Sequence, residues 1–415
     1  MRHKRKRINW FRILLLLLLI AIGVYVNKVV IPAVPPPFIP SPTATRNPES
    51  YITEAEGLFA QGKLLQAIAV YEAAIRIKPK DSTIYVALAR VQVFAGRYED
   101  ALTNAKDALL CNRNNSMAYA VRGWALVFME DFLASEAALK RALELDPNNG
   151  LAHAYYAELL ADMYINNIGP FDAITLAAEE SKVALSLAPN TLEAHRARGY
   201  ILEVTGNWEE AAREYQAAIA INGNIPFLHL ELGRTYRALG VFDKAVEEFT
   251  IANTLNPTDP LPDLYISRTY AYLGQYAKAV QFAEEAVQDE PTNPDLRGNL
   301  GVRYYHNFQW PQAAEQLTFV VHGGTTEDGL TIPPLPLSNE TRVVEYYFTY
   351  GLVLARLDRC TEALPIFQFI LAAVPSDEIA IYNAKEGNRI CEQSLKTPSP
   401  TPLVSPTPPK STHTP

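Results

Sequence analysis

The spacing of the helix-stopping prolines is the feature that most constrains this chain. Pro79, Pro147, Pro257 and Pro291 are separated by 68, 110 and 34 residues, and Pro189 divides the 110 into 42 and 68. These intervals are multiples of 34, apart from an eight-residue excess in one of them. A recurring period of this length is the mark of one supersecondary unit stacked on copies of itself, each burying its apolar face against its neighbours.

The residues inside the period recur with it. The segment GRTYRALGVFDKAVEEFTIANTLNP (233–257) has a small residue, Gly233, an aromatic three later, Tyr236, and a glycine at a turn, Gly240. Ala245, Phe249, Ala252 and the closing Pro257 follow. AQGKLLQAIAVYEAAIRIKP repeats the second half with Gly62, Ala67, Tyr71, Ala74 and Pro79, and LGQYAKAVQFAEEAVQDEP with Gly274, Ala279, Ala286 and Pro291. Small residues let paired helix axes approach to about 8–10 Å, and large ones fill the remaining gaps.

Period and residue types together resemble the tetratricopeptide repeat (TPR). The resemblance implies an all-α TPR solenoid over residues 49–395: a right-handed superhelix of about nine helix-turn-helix repeats with a capping helix at 377–395. The repeats fall near 48–81, 82–115, 116–149, 150–191, 192–225, 226–259, 260–293, 294–327 and 344–377. Arg113 and Gly223 stand where repeats two and five would close on proline. Insertions are expected near 161–171 and at 322–340, the second as a surface loop near one end of the concave face, because its Gly-Gly and Pro-Pro steps break the helical pattern.

A different organisation precedes the repeats. Residues 1–12 form a basic tail, and an apolar run from Ile13 to Ile31 is 19 residues long, close to the ~20 that cross a bilayer as a helix. No small-residue cleavage site follows cleanly, so an uncleaved signal anchor is expected over 13–31. A stiff proline-rich linker covers 32–48, and a Thr/Ser/Pro tail expected to be disordered covers 396–415. Basic residues crowd the N-terminal side of the run. The positive-inside rule therefore places the N-terminus in the cytoplasm and the body outside, on a single-pass protein of the cytoplasmic membrane.

Charge narrows the partners. The chain carries −8 in all, and the seven positive charges in residues 1–31 leave −15 for the rest. A body this acidic lacks the basic footprint of a nucleic-acid binder. No nucleophile elbow, phosphate loop, dinucleotide fingerprint or zinc-protease motif occurs, so neither enzyme activity nor a cofactor is expected. His153, His195 and His229 share one position in three successive repeats, where Tyr51, Tyr85, Tyr119 and Tyr347 stand in others. That position reads as packing for a flat ring: neighbouring repeats are about 8–10 Å apart, whereas zinc ligands converge to ~2.1 Å. No metal is expected. The acid pairs Glu209–Glu210, Glu247–Glu248 and Glu284–Glu285 read as a solvated outer face.

The expected function is protein–protein interaction, with an extended protein or peptide held in the concave groove and the bilayer engaged through the N-terminal helix. The resemblance implies that first-helix positions line that groove. In the 34-residue frame they hold Arg90, Phe94, Trp124, Phe128, Tyr200, Phe227, Arg234, Arg237, Arg268, Tyr272, Tyr305 and Arg356. Arginines and aromatics dominate binding hot spots, and here they sit in an acidic body, which points to a partly acidic ligand. TPR families that bind chaperone tails use Lys and Asn at such positions; Arg90, Arg234 and Arg268 without the asparagines depart from that pattern. The alternative is a binding module for cell-wall polysaccharide, whose sugars would stack on the rings.

The frame also pairs two cysteines. Cys360 begins the second helix of repeat nine and Cys391 lies near the end of the capping helix, so antiparallel packing brings them within disulfide reach. Cys111 is expected to remain a free, buried thiol.

Overall fold

The computed structural model describes residues 9–30 and 47–396. The basic residues 1–8, nearly all of the proline-rich linker and the Thr/Ser/Pro tail from 397 onward lie outside the described residues.

Near the N-terminus a helix runs from Trp10 to Tyr25 and continues as a π-helical turn, Val26–Val30. It begins three residues before the apolar run, because Trp10, Phe11 and Arg12 continue its hydrogen-bonded turns from Asn9. Trp10–Val29 spans 20 residues with a mean hydropathy of 2.1 and none of it is buried, so by length and composition it can cross a bilayer.

From Pro48 the chain is a stack of nine antiparallel helix pairs among the described residues. The pairs are Pro48–Ala60 with Leu64–Ile77, Ser82–Phe94 with Tyr98–Cys111, Ser116–Phe128 with Phe132–Leu145, and Gly150–Ile165 with Ala173–Leu187. Then come Leu192–Val204 with Trp208–Ile221, Pro226–Ala238 with Phe242–Leu255, Pro260–Tyr272 with Tyr276–Asp289, Pro294–His306 with Trp310–His322, and Thr341–Arg356 with Cys360–Ala373. Glu378–Lys396 caps the stack. Below, repeat one to repeat nine denote these pairs in order.

Local chemistry sets the register. First helices start on short polar caps: Asp81, Asn115, Asn149, Asp259 and Asn293 each accept a hydrogen bond from a first-turn amide. Within each pair the turn needs one residue in the left-handed region. Glycine supplies it at 62, 96, 206, 240 and 274, while Glu130, Phe308 and Asp358 adopt it at the corresponding turns of repeats three, eight and nine. The two helices of a pair then cross at a small residue. A Cβ on Gly233 would lie 2.6 Å from the Phe249 ring, and one on Gly351 would lie 2.4 Å from Phe367. Ala245, Phe249 and Ala252 are buried in the core that this crossing creates.

The segment 322–340 lies largely at the surface and is fastened to the array at a few points. Gly324–Thr325 and Thr331–Ile332 pair as a short antiparallel ribbon, the Leu335 amide donates to the Val320 carbonyl at 2.8 Å, and Tyr347 Oη donates to the Leu335 carbonyl at 2.9 Å. Ile332 is buried and Leu335 and Leu337 pack on the core of repeats eight and nine, so the apolar residues between its prolines fasten it down. Cys111 is free, as expected, but exposed: it is the last residue of its helix, and its Sγ sits 3.7 Å from the Pro79 carbonyl at the repeat boundary. Cys360 and Cys391 are joined by a disulfide with Cα atoms 5.4 Å apart, tying the capping helix to repeat nine.

Candidate functional site

One first-helix position recurs as Arg90, Trp124, Glu158, Tyr200, Arg234 and Arg268 in repeats two to seven. It faces the inside of the array. In repeats two to six these residues and their neighbours meet one another. Arg90 forms an ion pair with Glu193 of repeat five, and its guanidinium lies 5.0 Å from the Phe59 ring centre and 5.6 Å from that of Phe94. Arg196 forms an ion pair with Glu158 and lies 3.8 Å from Glu231, within 5.1 Å of the Phe227 centre and 5.4 Å of the Trp124 centre. Trp124 Nε1 donates to Glu158 at 3.0 Å. Tyr200 donates to Asp162. The turn of repeat one reaches the far side of this interior: Asn222 and Asn224 donate to the Phe59 and Ala60 carbonyls at 3.2 and 2.9 Å. Repeat one thus closes on the junction of repeats five and six.

The closed interior holds more carboxylate than one arginine satisfies. Glu158 and Glu231 share Arg196, and one oxygen of each has no hydrogen-bond partner. Burial, offset in part by Arg196, pushes Glu158 up to about 7 and Glu231 up to about 8.

Beside this interior lies a cavity of about 610 Å³ lined by Phe94, Tyr98, Trp124, Phe128, Phe227 and Leu261, among others. Its rings already cover one another: Tyr98 stacks on Phe128 at 4.8 Å, and Trp124 stacks on Tyr155 at 4.4 Å. Trp124 is 1% exposed.

A second cavity, about 490 Å³, opens on the inner face of repeats six to nine. Five arginines line it: Arg234, Arg237, Arg268, Arg303 and Arg342, with Tyr265, Asn299, Glu345 and Tyr346. Arg234 pairs with Glu203 at 2.7 Å, whereas Arg268 and Arg342 share Asp295 at 3.4 and 3.6 Å. Among the described residues neither Arg237 nor Arg303 forms an ion pair, and Arg303 Nε has no hydrogen-bond partner.

The expected groove residues therefore separate into two groups. Arg90, Phe94, Trp124, Phe128 and Phe227 gather around the closed interior, and Arg234, Arg237 and Arg268 around the open cavity. Tyr200, held by Asp162, belongs with the first group, and the remaining three lie apart from both: Tyr272 is exposed against Phe242, Tyr305 packs on His306, and Arg356 is exposed at the end of its helix. Sequence reasoning missed Arg303 and Arg342, as well as the carboxylates Glu158, Glu193 and Glu231.

The three histidines are staples. Nδ1 of His153, His195 and His229 lies 2.5, 2.7 and 2.6 Å from Glu180, Glu214 and Glu248 of the second helices. Each Nε2 lies 3.0 Å from the carbonyl six residues earlier, at Pro147, Pro189 and Gly223. Tyr85 and Arg297 reach the carbonyls of Pro79 and Pro291 in the same way. No metal-binding cluster of His, Cys, Asp or Glu occurs among the described residues.

Models of the tetratricopeptide repeat match residues 58–125, 118–149 and 192–225. No curated protein matches the sequence. Among solved structures, the human IFIT1 dimer with PPP-AAAA is similar at TM-score 0.51 and 17% identity, over 85% of this chain and 84% of that one. The pilF protein of Pseudomonas aeruginosa is similar at TM-score 0.42 and 20% identity, over 50% of this chain and 90% of that one. A tetratricopeptide repeat protein from Parabacteroides merdae is similar at TM-score 0.40 and 15% identity, over 62% and 98%. At these identities the likeness is one of fold. Three matched segments and nine helix pairs in one stack make this chain a tetratricopeptide-repeat solenoid protein.

Proposed function

We propose that this protein is a membrane-anchored scaffold whose body lies outside the cytoplasm and captures an extended, partly acidic segment of another protein on the inner face of repeats six to nine. The observation that carries this reading is the arginine cavity, which is open and cationic in a body whose net charge is strongly negative. TPR arrays serve as protein-interaction scaffolds, and a solenoid's concave side offers an extended surface. The other end of that surface is occupied by the chain's own residues, from Arg90–Glu193 to Arg196–Glu158. That leaves repeats six to nine as the accessible stretch.

The polysaccharide reading draws less support, because the rings that would stack on sugars are stacked on each other.

The binding claim is tested by replacing Arg234, Arg237 and Arg268 together with alanine. Affinity for acidic segments of the partner should fall while helicity is kept, and unchanged affinity would move the site elsewhere. Topology is tested separately. Protease added to host cells stripped of their wall should remove the array, and full protection with the membrane intact would reverse the orientation.

A further inference from the structure

The arginine cavity has more positive charge than its surroundings balance. Its five guanidinium groups face three carboxylates: Glu203, Asp295 and the lining Glu345. The excess is two positive charges: Arg268 and Arg342 share one carboxylate, and Arg237 and Arg303, without an ion-pair partner among the described residues, have only the lining Glu345 to offset them. Asp295 is committed elsewhere as well, since it accepts from Tyr346 Oη at 2.7 Å in addition to facing two arginines.

Arg303 is the least expected of the five. The 34-residue frame aligns it with Ile201, Thr235 and Thr269, all of which are buried core residues. A core position that carries a guanidinium, with Nε left unpartnered, is costly unless a ligand compensates it. Arg237 lies with its guanidinium 5.7 Å from the Tyr265 ring centre, which orients it without neutralising it. Burial pulls both arginines below the usual arginine value, and Arg237 is pulled further by Arg268, Arg234 and Arg342.

We propose that this cavity is a binding site for a doubly charged phosphate group, free or carried as a phosphomonoester. The charge excess matches a dianion. The arginines come from the first helices of four successive repeats, so they approach the centre from several directions. A planar carboxylate is satisfied by one guanidinium fork, whereas a tetrahedral phosphate offers three or more oxygens to several forks at once. The cavity's ≈ 490 Å³ leaves room for the group that bears the phosphate. This proposal rests on reading the inner face as the binding face, and it gives the acidic ligand its chemical class.

The test is calorimetric titration of the full chain in detergent with inorganic phosphate, glycerol phosphate and succinate at matched ionic strength. The variants are Arg237→Met, Arg303→Met and Arg356→Met, the last an exposed arginine outside the cavity. Phosphate and glycerol phosphate should bind at one site per chain. Arg237→Met and Arg303→Met should each weaken them by at least about tenfold, and Arg356→Met should leave them unchanged. Tighter binding of glycerol phosphate than of phosphate marks an ester-borne group, and equal binding marks the free anion. Should Arg303→Met fail to fold, Arg237→Met alone decides. Succinate binding as tightly as phosphate, no saturable phosphate binding, or insensitivity to Arg237→Met would each overturn the proposal. Phosphate binding without capture of any acidic protein segment would leave this site standing and remove the scaffold reading; the converse result would do the opposite.

Discussion

Arg90 of repeat two and Glu193 of repeat five stand 103 residues apart in the chain and form an ion pair. The Glu193 side chain is 0% exposed and its second oxygen has no other partner. Removing the arginine strands a buried carboxylate, which costs about 3–5 kcal/mol. Arg90→Met should therefore lower the urea midpoint sharply, and Glu193→Gln in the same background should recover part of the loss. An unchanged midpoint in Arg90→Met would show that repeats two and five do not depend on this contact.

Stability should fall as pH rises from about 4.5 to about 8. An unfolded glutamate titrates near 4.3, whereas Glu158 and Glu231 are pushed up to about 7 and about 8 by burial. Between those limits the folded state binds more protons than the unfolded one, so raising pH favours unfolding. His229 and His153 act with the same sign. Burial opposes but does not cancel the Glu248 hydrogen bond that raises His229, and the Glu180 hydrogen bond raises His153. Their contribution is present below the usual histidine value and is lost as pH passes their raised folded values. Glu231→Gln, which stays neutral, should flatten the thermal midpoint against pH above 7, and His229→Gln should flatten it by a separate increment. A slope identical to the parent's in Glu231→Gln would mean that this carboxylate is ionised in the folded protein.

Gly233→Ala should destabilise repeat six by about 1–3 kcal/mol, the usual cost of overpacking. The added Cβ would meet the Phe249 ring at 2.6 Å, and that ring is itself fully buried. Hydrogen exchange localised to 226–255 reads the effect. Gly57→Ala, in a helix with open space around it, serves as the control and should stabilise by about 0.5–1 kcal/mol.

Reducing Cys360–Cys391 should loosen the capping helix before the rest of the array. The bond spans 31 residues, for which loop-closure entropy gives roughly 3–4 kcal/mol. Amides of 378–396 should exchange faster after reduction while those of repeats three to five keep their protection. Uniform loss of protection would show that the cap governs the whole stack.

The repeat period made Gly233 against Phe249, and Cys360 against Cys391, legible before any coordinates, because both depend only on neighbouring helices. The closure of repeat one on Asn222 and Asn224 depends on superhelical rotation accumulated over five repeats, which no local pattern encodes. Glu158 stands in the same column as Arg90 and Trp124. A search for arginines and aromatics passes over it, although an acid facing those arginines is what closes the interior. Arg342 was hidden because the inserted segment before it shifts the frame. Arg303 was hidden because its column is otherwise core.

Site-specific photo-crosslinking in intact host cells reads directly whether a protein segment occupies the arginine cavity. A photoreactive residue replaces Tyr265 at the arginine cavity, or Arg213 on an exposed second helix as the control. Crosslinks at 265 should form to a protein segment rich in acidic or phosphorylated residues. These should be absent at 213 and lost when Arg234, Arg237 and Arg268 are replaced with alanine. Crosslinks that survive the triple replacement, or that form at 213 and not at 265, would contradict capture at the cavity.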